Sequence, residues 1–390
     1  MKTTFTLIFS VFFVYLNSQT NLYWFKKDIE NTFVNDSAKD KSYRSQMGAT
    51  YYSISNNFKN ALQTWDKNFS REKKYDGKVM VNFAKYKPLN AKKEILKRAE
   101  KEQIIILNEA HHNASHRNFA TSLLKGLYDK GYRYLGVETL KDDDSLEIRK
   151  FAVQSSGFYS KEPQFGLFLK EALSLGFKVF TYESSKGNGK DREIGQAKNI
   201  FDFMTNNQNG KMLIYCGYEH AFEGVHKSWE KTMAERLKNL TGINPFTIDQ
   251  TQFSEKSQEK FTEPLLKFVN KKYPTILINN KGELFNGDNK EFYTDAIIIG
   301  SYSTYKNGKP NWMLTKGKKY FVIPKIQNPV PALVFAYKDG EYKMNGIPED
   351  ITEIENWNDS NYLILGKGNY DIIYLDKNYE IIKSLKIKGK

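Results

Sequence analysis

The sequence predicts an α/β protein: a mainly parallel sheet flanked by helices, with a helical N-terminal lead-in and a β-rich C-terminal extension. Three observations predict it. Between residues 102 and 255, short runs rich in β-branched residues alternate with amphipathic segments, an order typical of parallel sheets covered on both faces. The loops that join them are short. After about residue 275 the helical period fades and further apolar runs follow.

The first nineteen residues predict a secretory signal peptide. Lys2 is their only charge, residues 5–15 are apolar, and Asn17-Ser18-Gln19 offers small residues for cleavage. The apolar stretch is shorter than the ~20 residues that a membrane-spanning helix needs. We therefore predict a secreted or periplasmic protein whose mature chain has no membrane span.

Three further segments follow. Residues 20–100 predict a helical N-terminal segment, because residues 58–65 and 91–99 have helical spacing. Residues 101–317 predict the α/β domain, and residues 318–390 the β-rich extension. The domain's first strands are predicted at 103–107, 132–137, 177–182, 211–216 and 245–248. Its helices are predicted at 119–130, 145–153, 163–175, 191–206 and 227–240. Later strands are predicted at 275–278, 296–299, 320–323, 332–335 and 362–365.

Composition excludes several classes of function. The net charge of +14 comes largely from scattered lysines, with only 8 arginines among the 59 basic residues, so nucleic-acid binding is not predicted. Cys216 is the only cysteine, which excludes an intramolecular disulfide and a cysteine zinc site. The phosphate-binding glycine loops and the Gly-x-Ser-x-Gly motif of serine hydrolases do not occur.

The five histidines fall in two short segments about a hundred residues apart. His111, His112 and His116 follow the first predicted strand, and His220 and His226 follow the fourth. Histidine is well suited to binding a transition metal or passing a proton near neutral pH. The clustering indicates one polar site assembled by the fold.

Acidic or histidine residues follow each of the five strands. Ligands of open α/β sheets bind outside the carboxyl ends of the strands, where these residues would meet. They are Glu109 after strand one, Glu138 after strand two, Glu183 after strand three, His220 after strand four and Asp249 after strand five.

The stretch 104–140, with its Asn-Glu-Ala-His-His and Gly-Val-Glu-Thr-Leu motifs, resembles the superfamily that joins erythromycin esterases, haem-uptake ChaN-like proteins and TraB/Tiki-type metalloproteases. That superfamily has an early Gly-Glu-x-His motif and a late Gly-x-x-His motif. The late motif is intact from Gly217 to His220. The early one ends at His111 and has Asn108 in place of glycine. The esterase-type members place their histidine one position later, at His112.

Two further motifs extend the resemblance, which covers roughly residues 100–255. The segment that begins with Arg192-Glu193 resembles the family's Arg-Glu helix, and residues 245–250 resemble its closing strand. The resemblance implies hydrolysis of an ester or amide in a small-molecule or peptide substrate.

Metal chemistry would explain the residue types. His111, Glu138 and His220 could bind a divalent metal (Zn, Mn or Co) and leave a position open for water. Glu109 would be the general base, and Arg192 would bind a substrate carboxylate or the developing oxyanion. In a metal-free version, which the esterase resemblance implies, His111 or His112 activates water directly and Glu109 orients the imidazole.

Other interpretations remain open at this point. The chain could bind haem through His111 or His220, as the ChaN-like resemblance implies, or it could be a scaffold without turnover. His116 could have a structural role at a helix start, and Glu183 could pair with Arg192. Glu223, close after His220, could orient a histidine.

Overall fold

The computed structural model describes residues 22–34, 41–68, 74, 82–141, 145–185, 187, 189–207, 210–287, 291–315 and 317–389; the predicted signal peptide lies outside them. The helices are α1 (Lys26–Ile29), α2 (Lys41–Ile54), α3 (Phe58–Asp66), α4 (Ala91–Arg98), α5 (Ala114–Asp129), α6 (Leu146–Arg149), α7 (Pro163–Leu175), α8 (Lys190–Asn206), α9 (Met233–Thr241) and α10 (Pro264–Val269).

The strands are β1 (Lys87–Asn90), β2 (Ile104–Glu109), β3 (Tyr132–Val137), β4 (Lys178–Thr181), β5 (Lys211–Gly217), β6 (Glu223–Gly224), β7 (Phe246–Phe253), β8 (Thr275–Ile278), β9 (Phe292–Tyr293), β10 (Ala296–Ile299), β11 (Tyr305–Lys306), β12 (Lys309–Pro310), β13 (Lys319–Val322), β14 (Ala332–Lys338), β15 (Asp350–Ile354), β16 (Tyr362–Leu365), β17 (Gly368–Leu375) and β18 (Ile381–Gly389).

An eight-stranded sheet forms the centre of the molecule, in the order β1-β8-β10-β7-β2-β5-β3-β4. The pairings from β10 to β4 are parallel, and β8 joins β10 and β1 by antiparallel pairing. Alternate residues of β2 face opposite sides: Ile105 and Leu107 pack in one apolar cluster, while Ile104 and Ile106 pack in another. Both faces are therefore buried under helices, and the predicted fold class is confirmed.

The C-terminal part is rich in antiparallel strands. It contains a four-stranded sheet in the order β15-β14-β17-β18, and β13 pairs with β16. The N-terminal segment packs on this sheet, since Tyr23, Phe25 and Ile54 share an apolar cluster with Leu333 and Ile373. None of the helices in the described ranges is both long and apolar enough to cross a membrane.

Several predicted boundaries were wrong. Helix α5 begins at Ala114 rather than Phe119, because the side chain of Asn113 caps it. Helix α9 begins only at Met233, because Thr232 caps it and the preceding residues form a turn. Strand β7 continues through Asp249 to Phe253, since β10 pairs with it at both of these residues.

Candidate active site

The carboxyl ends of the central parallel strands are level with one another. Glu109 pairs in register with Gly217, and Val137 pairs with both Tyr215 and Thr181. The polar residues that follow these strands therefore meet at one edge of the sheet, as the sequence predicted.

Glu109 is buried at this edge and accepts hydrogen bonds from three side chains. Its donors are the Arg117 guanidinium (Nε to Oε2, 2.7 Å), the Tyr215 hydroxyl (2.8 Å) and the His111 ring, whose Nδ1 lies 2.9 Å from Oε1. Burial raises the pKa of Glu109, but Arg117 and His111 outweigh it and hold the pKa well below its usual range. Glu109 is thus a fixed anion that orients His111, and this geometry does not favour the predicted role of general base.

Arg117 holds this anion in place. Its side chain is 1% exposed, and its Nη1 donates to Glu162 (3.0 Å) while its Nη2 donates to the backbone oxygen of His111 (3.0 Å). The early start of α5 places Arg117 in the first helical turn, from which it reaches Glu109. Arg117 was not among the site residues predicted from the sequence. It could have been selected because it is one of only 8 arginines and lies next to the first histidine cluster.

His111 is held by two aromatic rings and at Nδ1. Its ring stacks on Tyr159 with 3.7 Å between centroids and meets Tyr218 edge-on at 5.0 Å. Because Nδ1 faces the Glu109 carboxylate, Nδ1 carries the proton of the neutral ring and Nε2 has the free lone pair. The side chain is 15% exposed, so it is the accessible member of the Glu109–His111 pair.

Gly217 leaves room for the His111 ring. A Cβ at this position would lie 2.4 Å from His111 Cε1, 2.6 Å from Nε2 and 3.1 Å from Glu138 Oε2. The backbone of Gly217 is extended (φ −89°, ψ 147°), a conformation open to any residue. Glycine is therefore needed here because any side chain would collide with the His111 ring. Since the Cβ position is close to both groups, His111 Nε2 and the Glu138 carboxylate must also lie near each other.

Arg192 joins the carboxylates on the neighbouring strands. Its Nη2 donates to Glu138 Oε1 (2.6 Å) and to Glu183 Oε2 (2.8 Å), and its Nη1 lies 3.0 Å from His220 Nε2. The predicted Glu183–Arg192 pair is confirmed. The Gly217 backbone N–H also donates to Glu138. Burial by itself would raise the pKa of Glu138. The nearby His220, His111 and Arg192 have a larger, opposite effect, so the pKa is lowered and the carboxyl stays ionised.

His220 lies between two carboxylates. Its Nδ1 is 2.6 Å from Glu193 Oε1, and its Nε2 is 3.4 Å from Glu138 Oε1. Burial lowers the pKa of His220, but the two carboxylates outweigh it and raise the pKa above 6.5. Its ring also stacks on Trp229 (5.1 Å). Glu193, next to Arg192 on α8, was not among the site residues predicted from the sequence. Glu223, which was predicted as a possible partner of a histidine, pairs instead with Lys238.

The predicted metal ligands do not form a metal site in this arrangement. The Arg192 guanidinium, itself a cation, occupies the space between Glu138 and His220. Within the described ranges, no group of three or more His, Cys, Asp or Glu residues is arranged to hold a metal ion. His111, Glu138 and His220 do share one edge of the sheet, but metal binding stays a prediction.

His112 has different surroundings from His111. Its ring stacks on Trp65 at 4.1 Å, and its Nδ1 lies 3.5 Å from the Tyr218 hydroxyl. Burial and the nearby Lys256 cation hold the pKa of His112 well below 6.5, so the ring is neutral. The structure therefore pairs Glu109 with His111, and a catalytic role for His112 stays a prediction.

The two remaining histidines have structural roles. His116 Nδ1 accepts the backbone N–H of Ala110 (3.0 Å), as the structural interpretation predicted. His226 Nδ1 accepts the backbone N–H of Trp229 (2.9 Å) within a turn. Neither contributes a free ring nitrogen to the cluster around Glu138.

Asn108 links its own strand β2 to strand β7 and to the loop after β5. The superfamily that the sequence resembles has glycine at this position. Its Nδ2 donates to the Tyr218 backbone oxygen (2.6 Å) and to Asp249 (2.7 Å), and its Oδ1 accepts the Gln250 N–H (2.8 Å). Tyr218 has a φ of +40°, a left-handed conformation that costs free energy for a non-glycine residue. Asn108 therefore fixes the loop that carries Tyr218 and His220.

The comparisons with known proteins are distant. No family model and no curated protein matches the chain. Solved structures similar to it include the type III effector HopBA1 (12% identity, TM-score 0.36, 55% of this chain and 96% of that one). Two others are the MARTX toxin effector domain RRSP from Vibrio vulnificus CMCP6 (14%, 0.28, 55% and 50%) and a structure titled "Bacterial protein toxins" (15%, 0.29, 58% and 53%). The chain thus spans about half the length of these two. Likeness this distant implies nothing about its activity.

Proposed function

We propose that this protein is a hydrolase of an ester or amide bond, with His111 as the base that activates water. The observation that carries the proposal is the Glu109–His111 pair: Glu109 fixes Nδ1 at 2.9 Å, and Nε2 faces the edge of the sheet where Gly217 has no side chain. This is the geometry of a histidine base oriented by a carboxylate.

The base assignment follows from the charges around the edge. Glu138 is a poor proton acceptor because its pKa is lowered. Glu109 has donors on both of its oxygens. His111 is the group whose ring nitrogen is left with a lone pair, so it takes the proton of the attacking water.

His111 also supplies the acid, and helix α8 supplies the oxyanion partner. Both ring nitrogens of His220 are already in contact, Nδ1 with Glu193 and Nε2 with the donating Arg192, so His111 itself passes the water proton to the leaving alcohol or amine as the bond to the carbonyl carbon breaks. The Arg192 guanidinium, at the same edge, would neutralise the negative charge that develops on the carbonyl oxygen. The transfer leaves His111 neutral, so its Nε2 can accept a proton from the next water molecule.

The test is a panel of ester and peptide substrates with the mature protein. We expect His111→Gln to lower kcat by about 10²- to 10⁴-fold. The matched control is His226→Gln, which alters a turn and should keep wild-type rates. Equal activity of the His111→Gln and wild-type proteins would refute the assignment.

Two arms of the same experiment address cofactors. Turnover that survives a chelator supports the metal-free scheme, whereas loss and recovery with Zn, Mn or Co supports the predicted metal site. A Soret shift on adding haem, with no turnover of any substrate, would favour the haem-binding alternative.

A further inference from the structure

A pocket of about 260 Å³ adjoins the candidate active site through Tyr218. Tyr218 contributes to both: its ring meets His111 edge-on and also lines the pocket. The pocket is lined by residues from α3, from the loops after β2 and β5, from the end of β7 and from the segment that follows it. They include Trp65, Ala110, His112, Tyr218, Lys256 and Phe261.

Aromatic rings form much of the pocket wall. Trp65 lies nearly parallel to His112 (4.1 Å, 14°) and to Tyr218 (5.8 Å, 15°). His112 is buried, so its ring backs that of Trp65 on this side of the pocket. Small-molecule pockets are typically lined in this way, by apolar and aromatic surface with a few polar groups.

The pocket is built by buried polar contacts and is not a chance gap between surface side chains. Asp66, 2% exposed at the end of α3, accepts from both the backbone N–H and the hydroxyl of Ser257 (2.6 Å each). This contact joins the helix that carries Trp65 to the segment that carries Lys256. The N-terminal helical segment, in which the sequence shows no chemical motif, therefore contributes a wall of the pocket.

We propose that this pocket binds an aromatic group of the substrate, next to the bond that is cleaved. Planar rings stack favourably on Trp65 and Tyr218, and the volume suits one ring with a short substituent. Lys256 also lines a second, larger pocket of about 540 Å³. The proposal rests on the proposed hydrolase function, because it assigns the substrate class of that site.

The test compares esters that differ only in ring aromaticity. Benzyl acetate is paired with cyclohexylmethyl acetate, and methyl phenylacetate with methyl cyclohexylacetate. Within a pair the volume and the leaving group are nearly the same. We expect the wild type to prefer an aromatic member about tenfold in kcat/KM. Trp65→Leu should remove the preference, whereas the matched control Phe268→Leu, an exposed ring on α10, should keep it.

Binding is measured separately from turnover. Benzyl alcohol is titrated into the wild-type protein while the His112 Cε1–H signal is followed by NMR, with His226 as the internal reference. A ring-current shift of His112 alone supports the pocket, even if Trp65→Leu fails to fold. Absence of that shift, or equal rates for both members of each ester pair, overturns the proposal. A His112 shift without hydrolysis of any ester supports the pocket and refutes the hydrolase function instead.

Discussion

Gly217→Ala is the most direct perturbation of the candidate site. The new methyl would lie 2.4 Å from His111 Cε1 and 2.6 Å from Nε2, whereas carbon atoms pack at roughly 3.5–4.0 Å. The ring must therefore retreat by about 1 Å. Its retreat is opposed by Tyr159, which stacks on the ring at 3.7 Å.

The effects on activity and on stability should differ in size. A displacement of about 1 Å costs catalysis about 100-fold, or about 2.7 kcal/mol of transition-state stabilisation. The extended backbone at residue 217 accepts alanine, so the destabilisation comes only from overpacking, about 1–3 kcal/mol. The protein should therefore stay folded while most of its activity is lost.

The assay combines kcat on the best ester substrate, urea denaturation, and NMR of the histidine Cε1–H signals. The control is Gly366→Ala, where the nearest atoms to a Cβ lie at 3.8 Å and the backbone is not left-handed. We expect the His111 signal to shift in Gly217→Ala and to stay in place in the control. A folded Gly217→Ala protein with wild-type kcat and an unmoved His111 signal would refute the reasoning.

Two further predictions concern stability. Burial lowers the pKa of His116 to about 3, while the unfolded chain titrates near 6.5, so the unfolded state binds the extra proton and stability falls as pH drops from 6.5 towards 3. His116→Asn keeps an acceptor for the Ala110 N–H and should remove about 3 kcal/mol of this pH dependence, measured by urea denaturation at pH 7 and pH 4; an unchanged pH dependence would contradict it. Asn108→Ala leaves the Tyr218 carbonyl and the Gln250 N–H without partners and should cost about 3 kcal/mol in the same assay, so a loss below about 0.5 kcal/mol would be inconsistent with the described contacts.

Local sequence patterns were enough to predict the central sheet. Strand β3 and helix α7 have the predicted bounds, because the apolar and aromatic residues of the strand, a proline at the helix start and Gly176 at its end act within a few residues. The convergence of His111, Glu138 and His220 was also predictable, since parallel strands present their carboxyl ends at one edge. These inferences need only periodicity and strand direction.

The tertiary structure decided which of these side chains meet, and with what charge. His111 and His112 are adjacent in sequence, yet one ring binds Glu109 and the other stacks on Trp65, because a turn directs successive side chains differently. Arg192 comes from a helix some fifty residues beyond Glu138, and it contacts both Glu138 and His220, two of the predicted metal ligands. Motif spacing carries no information on such contacts, since they depend on how loops and helices pack over the sheet. The sequence by itself therefore determined the fold class and the edge where the polar residues gather, while packing between distant segments determined the partners of each residue.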